Sequence, residues 1–161
     1  MKAVKVLPAG RGIVLLQWAV VVVYVLALFL FTRHDTSGAG YTAQLLARWF
    51  PHLSSSELRH YVWLLRKAGH VLAYGFLTVL VYYAATNTKR LRRWALPVAV
   101  AAALVVAAAD ESYQMRLQHR SGAWTDVFID FLGIAAVATA LWLGARIRNK
   151  HKEVVEENAE N

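Results

Sequence analysis

The feature that most constrains this chain is an uncharged apolar run from Ile13 to Phe31, IVLLQWAVVVVYVLALFLF, nineteen residues long. At 1.5 Å per helical residue it matches a bilayer hydrocarbon core of about 30 Å. A secretory signal peptide is the competing reading, because Lys2, Lys5 and Arg11 precede the run. Nineteen residues is long for a signal-peptide core, however, and the following RHDTSG offers no small-x-small cleavage site. Three further apolar runs follow at about 68–86, 94–110 and 124–145. Lipid contact also explains the composition: 58% of residues are hydrophobic and 17% charged, where a soluble domain carries about 25% charged. The expectation is an all-α protein, a four-helix transmembrane bundle filling residues 1–150 as one domain.

Short segments join the runs. The third begins near Pro97, tolerable in a first helical turn, and the turn before it is NTKRLRR. Between the first and second runs, TAQLLARWF sets Leu45, Leu46, Trp49 and Phe50 at amphipathic spacing, which predicts an outer loop lying in the membrane interface. Ser54 and Glu57 have capping-box spacing, so a helix is expected to start there and run into the second span. Asp110 and Glu111 are expected to continue the third helix. Residues 151–161 carry four of the ten acids and read as a disordered acidic cytoplasmic tail.

Orientation follows from Lys and Arg in short loops. Eleven of them lie in the N-terminus, the second loop and the C-terminus, against seven in the first and third loops. Both termini are therefore expected in the cytoplasm, with loops one and three outside. The formal charge of +8 flanks apolar runs and forms no groove, so nucleic acid is not an expected partner. Membrane lipid is. The absence of cysteine excludes disulfides and thiolate metal sites.

Titratable residues converge on one end of this topology. Lys67, His70 and Tyr74 share a helical face at i, i+3, i+7; Asp110, Glu111 and Gln114 end the third span; Arg116, His119 and Arg120 occupy the third loop; Asp126 and Asp130 sit i, i+4 at the start of the fourth. Four of the six acids outside the tail fall in this set. A carboxylate inside a span is costly unless paired and usually faces the bundle interior, Asp130 above all. Plainer roles exist for single members: Lys67 and Arg116 reaching headgroups, His70 as a structural histidine, Asp126 as an acid favoured by a helix N-terminus.

Three chemistries are open to the set. Carboxylates with a histidine can perform acid–base work while Arg or Lys holds an anion. His70, Asp110 or Glu111, and Asp130 could hold a divalent metal, although no tight ligand spacing is present, and no metal or other cofactor is expected. A proton or ion relay is the third, less suited to four spans with no repeat or broken helix. No activated serine or cysteine nucleophile and no Gly-rich phosphate loop is present.

The motifs Lys67-Ala-Gly-His70-x-x-x-Tyr74-Gly, Asp110-Glu111-x-x-Gln114 and Arg120-Ser-Gly122-x-x-x-Asp126-Val-x-Ile-Asp130-x-x-Gly133 strongly resemble the VanZ-like family, in family order over residues 66–140. Asp130 stands where many relatives carry Asn. The resemblance implies a bacterial integral membrane protein of the cell envelope, in a family whose founding members are associated with teicoplanin-type glycopeptide resistance. A phosphotransbutyrylase label carried by some relatives finds no support in these residues. The expected function is an outward-facing pocket that binds or modifies an envelope or lipid-linked molecule. His70, Glu111, Asp110 and Asp130 are the candidate catalytic residues. Lys67, Tyr74, Gln114, Arg120 and Asp126 are the candidate substrate-binding residues. The alternatives are a non-catalytic binding or stabilising protein with a structural salt-bridge network, and a small oligomeric transporter.

Overall fold

A computed structural model describes residues 10–33, 38–116 and 124–160. Within them are α1 (Arg11–Arg33), α2 (Ala39–Trp49), α3 (Ser55–Asn87), a short 3-10 turn (Arg92–Trp94), α4 (Ala95–Gln114) and α5 (Trp124–Glu160), with no strand. Helices α1, α3, α4 and α5 are each long and apolar enough to cross a membrane, as the four apolar runs predict.

Helix α3 is the hub, packing against every other helix. It starts at the expected capping box: Ser54 Oγ accepts from the Glu57 amide, and the Glu57 carboxylate accepts from the Ser54 amide at 2.8 Å. From there it runs unbroken for 33 residues, about 50 Å, longer than a bilayer core. About 20 residues suffice to span, and counting that number back from Asn87 reaches Lys67. The first turns of α3 therefore extend beyond the hydrocarbon layer, where α2 lies against them without burying any of its own side chains.

Packing between the spans depends on small residues. Ala95, Ala99, Ala103 and Ala107 repeat every fourth position on α4 and are all buried, the last three meeting the Leu77, Val81 and Ala84 side of α3 in one core. Between helices that lipid could solvate equally well, close van der Waals approach is what holds them, and Ala permits it. The α3–α5 crossing is tighter still. A Cβ on Gly133 would collide with the backbone carbonyl of Val71, and one on Gly75 would lie 3.1 Å from Val137 Cγ2.

Helix α1 is peripheral, burying only Val21 and Thr32 among its described side chains. Polar clasps hold it to α3: Trp18 Nε1 donates to Thr88 Oγ1 at 3.0 Å, Asn87 Nδ2 to Gln17 Oε1 at 3.1 Å, and Tyr24 Oη to the Ala73 carbonyl at 3.0 Å. Its exposed Leu15, Val23 and Leu30 form a lipid-facing surface.

The acidic tail continues α5 helically to Glu160. Its run of Lys, Glu, Asn and Ala contains no Gly or Pro, and Lys and Glu are good helix formers that an existing helix can propagate into without a new nucleus.

Candidate functional site

The period-four Ala stripe of α4 sets the position of the acids. Continuing from Ala107 along the same face leads to Asp110, Glu111 and Gln114, all buried. Gly133 brings α5 against α3 beside Val71, so His70 and Asp130, one residue and one turn away from that crossing, are forced together. His70 Nδ1 lies 3.1 Å from Asp130 Oδ1 and 3.7 Å from Glu111 Oε1. Three helices thus supply one group each. Glu111 and Asp130 are 0% exposed, whereas the His70 side chain retains 19%.

A second group forms around Asp110. Tyr74 Oη donates to Asp110 Oδ2 at 2.8 Å and Gln114 Nε2 donates to the same oxygen at 2.7 Å. All three side chains are buried, so these bonds are made where water cannot replace them. Near the mouth, Lys67 and Asp126 form an ion pair between α3 and α5. Depth follows helical arithmetic. Lys67, Gln114 and Asp126 lie near the boundary of the spanning segments, and His70, Asp110, Glu111 and Asp130 lie about one turn inside.

The structure therefore brings together His70, Glu111 and Asp130, couples Tyr74 and Gln114 to Asp110, and couples Lys67 to Asp126. Asp126 faces a cation across the helix interface, a different setting from that of an isolated N-terminal acid. Arg120, with His119, lies outside the described residues, and the partner of Asp130 within them is His70. Asp110 Oδ1 and Asp130 Oδ2 are buried with no hydrogen-bond partner among the described residues. His70, Glu111 and Asp130 each present a potential metal-ligand atom, all within 4.8 Å of one another.

Two cavities adjoin the cluster. One, of about 270 Å³, has apolar walls from Leu28, Phe31 and Leu65 and a polar floor that includes His70, Tyr74 and Asp110. The other, of about 610 Å³, lies between α2 and the start of α3 and is edged by Arg59, Lys67 and Asp126. Arg66 lines both. Arg66, Arg59 and Thr32 are absent from the sequence-derived set. An Arg beside a span reads as ordinary flanking charge, and no local pattern tells that two cavities meet at it. Thr32, buried at the far end of α1 and lining the smaller cavity, carries no pattern of its own.

No curated protein and no solved structure matches the chain. The VanZ/LLP1 family profile matches residues 13–145, a stretch that reaches all four spans and includes the whole polar cluster, and the protein is therefore a multi-pass membrane protein of the VanZ/LLP1 family.

Proposed function

We propose that the protein binds an anionic, lipid-linked molecule of the bacterial cell envelope at the end of the bundle where α2 packs on α3. The observation that carries this reading is the pairing of an apolar-walled cavity with cations at Arg66, where the two cavities meet. Leu28, Phe31 and Leu65 suit an acyl or isoprenoid chain entering from the bilayer. Arg66 and Arg59 suit a phosphate or carboxylate, Arg66 through a two-pronged hydrogen bond. Lys67 reaches the same cavity but is already paired with Asp126, so a headgroup there would compete with that carboxylate. On this reading His70 and Glu111 are the acid–base pair on the cavity floor, and Asp130 positions the His70 ring. The excess of Lys and Arg at the opposite end supports termini in the cytoplasm and a cluster facing outward.

The test uses the purified protein in nanodiscs and a fluorescent polyisoprenyl phosphate as probe. Saturable binding is expected, weakened at least tenfold by Arg66→Gln in protein that remains folded. Binding no stronger than to empty nanodiscs, or unchanged by Arg66→Gln, would overturn the reading. A cellular arm addresses the resistance associated with the family's founding members. In cells that gain teicoplanin tolerance from the wild-type chain, His70→Ala and Glu111→Gln should each abolish the gain at equal membrane abundance.

A structural role is favoured for one part of the cluster by its own geometry. Tyr74 and Gln114 both donate to Asp110 and all three are almost wholly buried, so they serve the helix interfaces and only indirectly a ligand.

A further inference from the structure

The geometry points to a divalent-cation site made by His70 Nδ1 with one carboxylate oxygen each from Glu111 and Asp130. The inference goes beyond the headgroup reading and does not depend on it; with a cation bound, His70 and Glu111 act as ligands in place of an acid–base pair. A cation bound to N and O ligands at about 2.0–2.2 Å holds neighbouring ligand atoms about 3.0–3.5 Å apart. The observed separations from His70 Nδ1, 3.1 Å to Asp130 Oδ1 and 3.7 Å to Glu111 Oε1, need adjustments of only a few tenths of an ångström. The three ligand atoms lie within 4.8 Å of one another and come from three different helices.

Burial supplies an independent reason. Glu111 and Asp130 are fully buried, Asp110 is 3% exposed, and these three carboxylates sit one turn inside the spanning segments. Lys67 is engaged by Asp126, and His70 lies beside both Glu111 and Asp130. Asp130 Oδ2 is buried with no hydrogen-bond partner among the described residues, leaving lone pairs at the cluster that a cation would satisfy. His70 Nδ1 has two uses here. Protonated, it donates to Asp130; deprotonated, it is a ligand to metal.

The donor set selects the ion. One imidazole and two carboxylates suit first-row divalent ions such as Zn²⁺ and Mn²⁺, whereas Ca²⁺ prefers six to eight oxygens. Cu(I) favours sulfur, and the chain has no cysteine. Three protein ligands leave a coordination position open, and the partly exposed His70 borders the 270 Å³ cavity through which an ion and an anionic oxygen could enter. Asp110, fixed by Tyr74 and Gln114, stands beside Glu111 and helps hold the α4 end in place.

The test is metal analysis of the full chain purified in detergent, without added lipid. Protein prepared without chelator is assayed for bound metal, then stripped with EDTA and titrated with Zn²⁺, Mn²⁺ and Co²⁺. One equivalent per chain is expected, with visible Co²⁺ bands and a melting temperature raised by Zn²⁺ and lowered again by EDTA. Asp130→Asn and Glu111→Gln, which keep side-chain shape, should each weaken binding at least tenfold. Glu57→Gln, which retains capping-box chemistry at the start of α3, should leave it within twofold. Folded wild-type protein with no bound equivalent, no Co²⁺ bands and no melting shift would overturn the site without reference to any variant. So would binding that Asp130→Asn and Glu111→Gln leave unchanged. A chain that takes up metal but ignores the polyisoprenyl phosphate would retain the metal site and lose the headgroup reading, and the converse result would do the reverse.

Discussion

At the scale of single residues, the buried acids differ in what holds them, Asp110 by neutral donors and Asp130 by the His70 ring. Asp110 receives two hydrogen bonds on one oxygen, from Tyr74 and Gln114. Removing one donor from a buried acceptor costs about 1–3 kcal/mol in soluble proteins, while interhelical hydrogen bonds in membranes average about 0.6 kcal/mol. Because Gln114 still donates to the same oxygen after Tyr74→Phe, a loss near 1 kcal/mol is expected. It should be measurable as a lower melting temperature in detergent, and an unchanged melting temperature would mean that Tyr74 does not hold Asp110. The sequence makes the membership of this cluster legible, because charged side chains in spans are rare and their helical phase can be counted. Pairings are less legible. That Tyr74 turns to Asp110, and Lys67 to Asp126, depends on interhelical rotation and depth, which no single helix encodes, whereas Gln114 and Asp110 are an i, i+4 pair on α4. For the same reason Arg66, adjacent to Lys67, reads from sequence as one more flanking cation, although it lies where two cavities meet.

Among helices, two small-residue contacts decide whether the site exists. The stripe Ala95, Ala99, Ala103, Ala107 places Asp110 and Glu111 on the buried face of α4, and Gly133 allows α5 to touch α3 beside His70. Gly133→Ala would drive a methyl group into the Val71 carbonyl, and backbone cannot yield as a flexible side chain can. Overpacking of this kind costs about 1–3 kcal/mol, and the added separation falls at the His70–Asp130 contact. A marked drop in melting temperature is expected, whereas Gly144→Ala, with nothing within 4 Å of its new Cβ, should be neutral or slightly stabilising through helix propensity. Equal melting temperatures for both variants would show that α3 and α5 do not approach at Gly133. The Gly belongs to the motifs carrying the family resemblance, so its presence is legible, but its purpose becomes physical only when the facing carbonyl is known. The Ala stripe was legible in principle from its period of four. In an apolar span, however, hydropathy is nearly uniform around the helix, and small size is a weaker mark than polarity.

For the molecule as a whole, the four spans follow directly from hydropathy, since a helix crossing lipid must satisfy its backbone internally and be apolar for about 20 residues. Helix ends are less legible: α3 begins thirteen residues before its apolar run, and α5 continues past its own, because polar residues with good helical propensity extend a helix already started. Which end faces outward is a question of charge. Lys89, Arg90, Arg92 and Arg93, together with Arg146, Arg148 and Lys150, lie at the end of the bundle opposite the cluster, and aromatic side chains support that boundary. Arg93 sits 5.7 Å from the Trp94 ring centroid and Arg146 sits 4.1 Å from that of Trp142, as expected of side chains anchored at an interface. Because the chain has no native cysteine, single cysteines report side directly. Ser55→Cys lies at the start of α3 at the cluster end, and Asn149→Cys lies on α5 beyond Trp142 at the other, both at exposed positions. An impermeant thiol reagent on intact cells should label Ser55→Cys alone, and permeabilised cells should label both. The opposite pattern would open the cluster to the cytoplasm, where an anionic lipid of the inner leaflet would replace an external envelope molecule as the candidate ligand. The metal geometry would be untouched by that reversal, since its three ligands are fixed by helix packing and not by the direction in which the bundle was inserted.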